Sequence, residues 1–206
     1  MVGDELLVAA GRRPRTDDIG LETVGLSPGG YLKVDDRLRV LGVEGEWLYA
    51  AGDVNGRALL THQGKYQARL AGDIIAGRDQ QAWADHRAVP RVTFTDPQVA
   101  AVGSTEAQAR DAGLHVKTVR YDIGATAGGA LAGKGVHGTA QLVIDQDRRV
   151  IVGASFVGPG VGEMLHAATI AIVGEVPLDR LWHAVPAYPT ISEVWLRLLE
   201  ADRGNA

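Results

Sequence analysis

Leu48-Tyr49-Ala50-Ala51-Gly52-Asp53-Val54 runs on into Ala58-Leu59-Leu60-Thr61-His62, which places an apolar segment, a glycine, an acid and a helix start in close succession. Trp47 and the four residues after it form a short apolar run of aromatic and small side chains, the composition of a strand buried on both faces. Gly52 lets the backbone turn where a Cβ would clash, and Asp53 sets an acceptor-only carboxylate at the strand's carboxyl end. In open α/β sheets, ligands bind at that end. Thr61 is placed to cap a helix over about 62–75, closed by Gly77. A carboxylate beside the N–H groups of a helix start suits a polyol or an anionic ring edge. It also suits a plain turn cap, and spacing alone leaves both readings open.

Outward from this stretch, the bulk numbers narrow the classes. A chain of 206 residues has room for one large or two small domains. Its 46% hydrophobic and 22% charged content is that of an ordinary folded protein, so disorder is not expected. A net charge of −4 argues against a general nucleic-acid binder. With no cysteine, the chain has no disulfide, no thiolate metal site and no thiol nucleophile. The six histidines show no ligand spacing, so no metal site is expected. No apolar run reaches the ~18 residues of a membrane span, and the N-terminal residues are no signal peptide. The expectation is a cytoplasmic protein that binds neither nucleic acid nor membrane.

Residues 4–11 read as a buried strand that turns at Gly11, and Arg12-Arg13-Pro14-Arg15-Thr16 breaks regular structure. A strand arriving so early makes Met1 look like a truncated or engineered start. A loop with one helical turn is expected over 19–26, and a short hairpin or meander over 31–40 around Asp35-Asp36. The polar stretch 78–88 marks the domain boundary, giving 1–88 and 89–206.

The second part opens with strands over 91–95 and 99–103 on either side of Asp96-Pro97. A helix started by Ser104-Thr105-Glu106 then runs to Gly113, and 116–121 alternates as a strand. Gly128-Gly129-Ala130-Leu131-Ala132-Gly133-Lys134 imitates a phosphate loop, but Gly135 stands where Ser or Thr would hold Mg²⁺. No helix pattern follows it, so 123–138 reads as a mobile surface loop. A hairpin is expected over 139–145 and 150–157, then a turn at Gly158-Pro159-Gly160 and a largely buried helix over 163–173. That turn imitates a dinucleotide fingerprint, yet its third glycine is displaced and Pro159 has no N–H for a phosphate. A short helix over 178–184 and a last helix capped by Thr190 complete the chain. Ile191, Val194, Trp195, Leu198 and Leu199 form an apolar stripe on that last helix, the mark of a partner surface.

Residues 48–54 and 58–62 closely resemble the second FAD-contact segment of the pyridine nucleotide-disulfide oxidoreductases, of the lipoamide dehydrogenase and mercuric reductase type. The resemblance continues in Ala9-Ala10-Gly11-Arg12-Arg13-Pro14, although Arg15 stands where that pattern has asparagine. It continues again in Val157-Gly158-Pro159 and the helix that follows, and so covers essentially the whole chain. It implies an α+β (α/β) chain: the C-terminal part of an FAD/NAD(P)-binding domain, then an α+β dimerisation domain with an antiparallel sheet. It also implies a cofactor site at Gly52 and Asp53, with Asp53 bonding the ribityl chain of FAD and backbone N–H groups at about Leu60, Thr61 and His62 facing the pyrimidine end of the flavin.

Thiol-disulfide members begin their last helix with His-Pro-Thr-x-Ser-Glu, where the histidine acts as acid/base toward a thiol of the other subunit and the glutamate orients it. Here the run is Tyr188-Pro189-Thr190-Ile191-Ser192-Glu193. Tyr188 and Glu193 are thus the candidate catalytic residues, directed at the partner subunit in a homodimer. A phenol is too weak a base at neutral pH to replace imidazole, but it can donate a hydrogen bond. This departure tilts the acceptor away from lipoamide. Glu193 has a simpler reading as well, because an acid in a helix's first turn is favoured by the dipole alone.

The family's N-terminal glycine fingerprint for FAD, its NAD(P) fingerprint and its redox cysteine pair have no match in this sequence. The expectation is therefore a C-terminal piece of an FAD-dependent NAD(P)H oxidoreductase that passes electrons to a disulfide, quinone or other small acceptor, the piece itself being inactive. A free-standing dimerisation or scaffold module without cofactor is the alternative, and a binder of NAD alone comes third.

Overall fold

Gln63, Gln67, Leu70, Ala71 and Ile74 recur at helical spacing and are the buried residues of α1 (Thr61–Ile75). In this computed structural model, which describes residues 3–204, the chain forms two compact units that divide between Asp85 and His86. The reading of Met1 as a non-native start falls outside the described residues.

In the N-terminal unit, Leu38 packs with Leu70, Ala71, Ile74 and Ala82, and Val34, Tyr49 and Tyr66 close around them. The expected meander is present as single bridges, Val34 to Val40 and Arg39 to Tyr49. Asp35 holds its tight turn by accepting from the backbone N–H groups of Arg37 (2.8 Å) and Arg39 (2.9 Å) and from Arg39 Nε (2.8 Å). Burial pushes the Asp35 carboxyl up, but these donors outweigh it and hold the group below the usual carboxylate range. A single turn of 3-10 helix at Leu21–Val24 matches the one helical turn expected there.

Two expected strands do not form. Residues 4–11 make no ladder among the described residues, and Leu7 is 89% exposed. Among the described residues, 47–51 make a β-bridge only at Tyr49, and Trp47 is 59% exposed. Apolar composition makes a strand only where a neighbour takes up its N–H and C=O groups in a continuous ladder; among the described residues neither segment has one, and beyond the bridge Ala50 O is taken up by the Asn55 side chain. Thr61 is also not the cap of α1. It is the first helical residue, and Leu60 precedes it in extended conformation with no side-chain cap bond. α2 (Trp83–Arg87) lies inside the stretch expected to be irregular.

The C-terminal unit is a five-stranded antiparallel sheet, as expected. Its strands are β1 (Arg91–Thr93), β2 (Gln98–Gly103), β3 (Val116–Asp122), β4 (Thr139–Asp145) and β5 (Val150–Gly158), in the order β1-β2-β5-β4-β3. Ala100, Phe156, Ala140 and Tyr121 lie opposite one another across β2, β5, β4 and β3, and Val102, Ala154, Leu142 and Val119 form the next such row. Residues directly opposed share a face, so these two rows build one side of the core. α7 (Val194–Arg203) meets that side at Trp195, whose ring lies 6.0 Å from Phe156. α5 (Val161–Val173) joins it where Gln98 Oε1 accepts from the Gly162 N–H at 3.1 Å. On the other side α3 (Glu106–Asp111) closes a smaller cluster of Ala109, Val116 and Val143. Within the expected start Ser104-Thr105-Glu106, Thr105 is the cap of α3, and with Gln108 it makes a complete capping box.

The glycine-rich stretch is not a loose loop. Residues 127–132 form α4 (Ala127–Ala132), capped by Thr126 Oγ1, which accepts from the Gly129 N–H at 3.0 Å. Gly128 and Gly129 are buried, so these glycines serve close packing rather than mobility. α6 (Leu178–Leu181) is shorter than expected. The last helix starts as a 3-10 turn at Ile191–Glu193, and Thr190 does not cap it, because its hydroxyl donates to Ala187 O at 2.6 Å.

Candidate functional site

Gly52 sits at φ 82° and ψ −156°, a backbone setting that essentially only glycine adopts, and Asp53 opens a 3-10 turn directly after it. The Asp53 side chain is 55% exposed and faces Arg12, whose Nη1 lies 3.3 Å from Asp53 Oδ2 and donates to Leu59 O at 3.0 Å. Both partners are open to solvent, so the pair is weak and a ligand hydroxyl can take its place. These residues rim a cavity of about 370 Å³ that is also lined by Arg13, Pro14, Arg15, Tyr31 and Val54. The α1 start lies just beyond Leu59, and no side chain caps it. Gly64, one turn into α1, comes so close to the loop that a Cβ there would lie 3.2 Å from Gly52 Cα.

The structure therefore brings Gly52, Asp53, Leu60, Thr61 and His62 together at one end of α1. A half-exposed carboxylate, a guanidinium and an uncapped helix start form a donor and acceptor set that fits a polyol chain and an anionic ring edge, and so fits FAD.

Beneath the turn lies a polar layer that sequence reasoning missed: Asn55, Gln63, Gln67, Asp85 and Arg57. A signal for it was present, since Gln63 and Gln67 are amides four residues apart on the apolar face of α1, where a core helix would carry aliphatic residues.

In the C-terminal unit, Tyr188 is 77% exposed and Glu193 is buried. Glu193 Oε1 accepts from Arg197 Nη2 (2.7 Å) and Nε (3.1 Å), and Oε2 accepts from the Ala127 N–H at 3.2 Å. Among the described residues, the partners of the Glu193 carboxylate are Arg197 and Ala127, and Tyr188 is not one of them. The glutamate ties α4 to the start of α7, and so holds the chain that follows Tyr188. Near the far end of α7, Asp202 lies between Arg149 and Lys117, with Lys117 Nζ at 3.2 Å. Burial raises the Asp202 carboxyl, but its bonds to Arg149 and Lys117 prevail and hold it low. An apolar cavity of about 410 Å³ opens between α5 and α7, lined by Ile170, Val185, Pro186 and Trp195 among others. Among the described residues no group of three or more His, Cys, Asp or Glu is placed to hold a metal ion, and no helix is long and apolar enough to cross a membrane.

The pyridine nucleotide-disulphide oxidoreductase dimerisation domain matches residues 89–199, and the chain belongs to that family. Among curated relatives, dihydrolipoyl dehydrogenase of Geobacillus stearothermophilus is 32% identical over 204 residues, covering 98% of this chain and 42% of its own length. The HOCl-induced flavoprotein disulfide reductase RclA of Escherichia coli superposes with a TM-score of 0.81 at 25% identity, over 96% of this chain and 45% of that one. LpdA of Mycobacterium tuberculosis gives 0.81 at 26% identity, over 91% and 40% respectively. The chain thus spans about 42% of the length of the curated relatives it matches.

Proposed function

We propose that this chain supplies one wall of the flavin site and the homodimer interface of an FAD-dependent NAD(P)H oxidoreductase. The observation that carries this reading is Asp53, held half exposed on the Gly52 turn at a cavity mouth beside the uncapped start of α1. FAD held there would supply two-electron redox chemistry between a nicotinamide and a disulfide, quinone or similar acceptor. Asp53 would hold the ribityl chain by accepting from its hydroxyls, and the backbone N–H groups at Leu60, Thr61 and His62 would serve the anionic edge of the ring. Tyr188 presents its O–H to the partner subunit's site as a hydrogen-bond donor. Glu193 serves that site by fixing the segment that carries Tyr188.

In the flavoprotein that contains this chain, Asp53→Ala is expected to weaken FAD binding about ten- to a hundredfold, the loss of one or two hydrogen bonds to a charged group. The measurement is a fluorescence titration, and unchanged affinity would remove the flavin reading. The dimer rests on the family match to residues 89–199 and on the exposed apolar Ile170, Val173 and Val185. Light scattering of the chain over a dilution series is expected to give twice 21.8 kDa. A monomer at every concentration would exclude the interface.

A further inference from the structure

The open side of the Gly52–Asp53 turn faces the cavity, and its closed side is held by a side chain from the middle of α1. Gln67 is 0% exposed, and its Oε1 accepts from both the Gly52 N–H (2.7 Å) and Asn55 Nδ2 (2.8 Å). Its Nε2 donates to Asp85 Oδ2 at 2.9 Å. The partners settle which end of the amide is which, because a backbone N–H only donates and an ionised carboxylate only accepts. The Asp85 side chain is itself buried and also takes Gln63 Nε2 and Arg57 Nη1, the latter at 3.2 Å. Asn55 closes the ring: its Nδ2 also reaches Ala50 O (3.1 Å), and its Oδ1 accepts from the Arg57 N–H (3.0 Å).

Glycine gives the turn access to its unusual backbone setting but nothing that keeps it there, since a chain with no Cβ leaves that setting as readily as it enters. The bond to Gln67 fixes the peptide plane before Gly52, and with it the direction in which Asp53 leaves the turn. Few side chains other than glutamine combine this reach with an acceptor at one atom and donors at its neighbour. Leucine would strand the Gly52 N–H and Asn55 Nδ2, and glutamate would set a second negative charge against Asp85.

We propose that Gln67 is the positioning residue of the Gly52–Asp53 turn: acting through the Gly52 N–H, it sets where Asp53 presents its carboxylate to the flavin ribityl, and Asp85 holds Gln67 in that orientation. This rests on the reading of Asp53 as a flavin ligand. The test is a double-mutant cycle on the flavin-loaded protein that contains this chain, with the FAD dissociation constant read from flavin fluorescence and the visible band of bound flavin recorded alongside. Gln67→Leu alone is expected to weaken FAD about tenfold, the effect of one lost hydrogen bond to a charged partner. On the Asp53→Ala background the same change is expected to do nothing further, because its route to the flavin is gone.

Losses that multiply in the double variant would make Gln67 a plain core residue and overturn the proposal, as would wild-type affinity in Gln67→Leu beside a weakened Asp53→Ala. Wild-type affinity in Asp53→Ala would instead remove the ligand reading and the proposal with it. If Gln67→Leu does not fold, Gln67→Glu keeps the size and acceptor atoms, loses the donors to Asp85, and is read against Asp53→Ala in the same way.

Discussion

Phe156→Ala is expected to destabilise the C-terminal unit by about 3–5 kcal/mol, the usual range for removing a fully buried aromatic ring. Phe156 is 0% exposed and lies on β5, the central strand of the sheet. The residues opposite it on β2 and β4 are Ala100 and Ala140, so the ring fills the width left by two small side chains. Neither alanine can reach into the space it vacates, and both are held by ladder bonds. The cavity therefore stays open, and Trp195 loses its ring partner. Chemical denaturation followed by circular dichroism measures the change. A loss below about 1 kcal/mol would mean that the sheet collapses around the site and that Phe156 is not the wedge between sheet and α7.

Gly128→Ala is expected to cost about 3 kcal/mol, although intrinsic helix propensity alone favours alanine by about 1 kcal/mol. A Cβ at Gly128 would lie 2.0 Å from the carbonyl carbon of Thr190 and 2.2 Å from the Ile191 nitrogen. Both are backbone atoms, so no rotamer change relieves the clash, and α4 must move off the start of α7. That motion also pulls the Ala127 N–H away from Glu193. The two effects have opposite signs, which makes the thermal midpoint decisive. A fall of roughly 10 °C or more supports the close contact, and a rise would show that α4 does not pack there.

The regular parts of this fold were legible because their sequence periods are local. β4 and β5 alternate on either side of a turn, α1 carries its apolar residues at helical spacing, and Gly52 stands where only glycine tolerates the backbone. The approximate ends of α5 and α7 followed from the same kind of pattern. The motif from Gly52 and Asp53 through Leu60, Thr61 and His62 was legible as a run, and in the structure these residues lie near one end of α1.

What the sequence determined by itself was therefore what depends on neighbours along the chain: helical and strand periods, glycine turns, and the order of elements that marks the family. What only the tertiary structure decided depends on neighbours in space. Residues 4–11 and 47–51 have strand composition but form no regular ladder, since the pairing of N–H and C=O groups is settled by what lies alongside. Gly128 looked like loop flexibility and is a packing contact with Thr190, a residue 62 positions later whose approach no local pattern records. Gln67 and Asp85 belong to no sequence motif and form the closed layer under the Asp53 turn. Hydrogen bonds between residues distant in sequence have no period: the chain shows two amides on the apolar face of α1, and the fold alone brings their partners together.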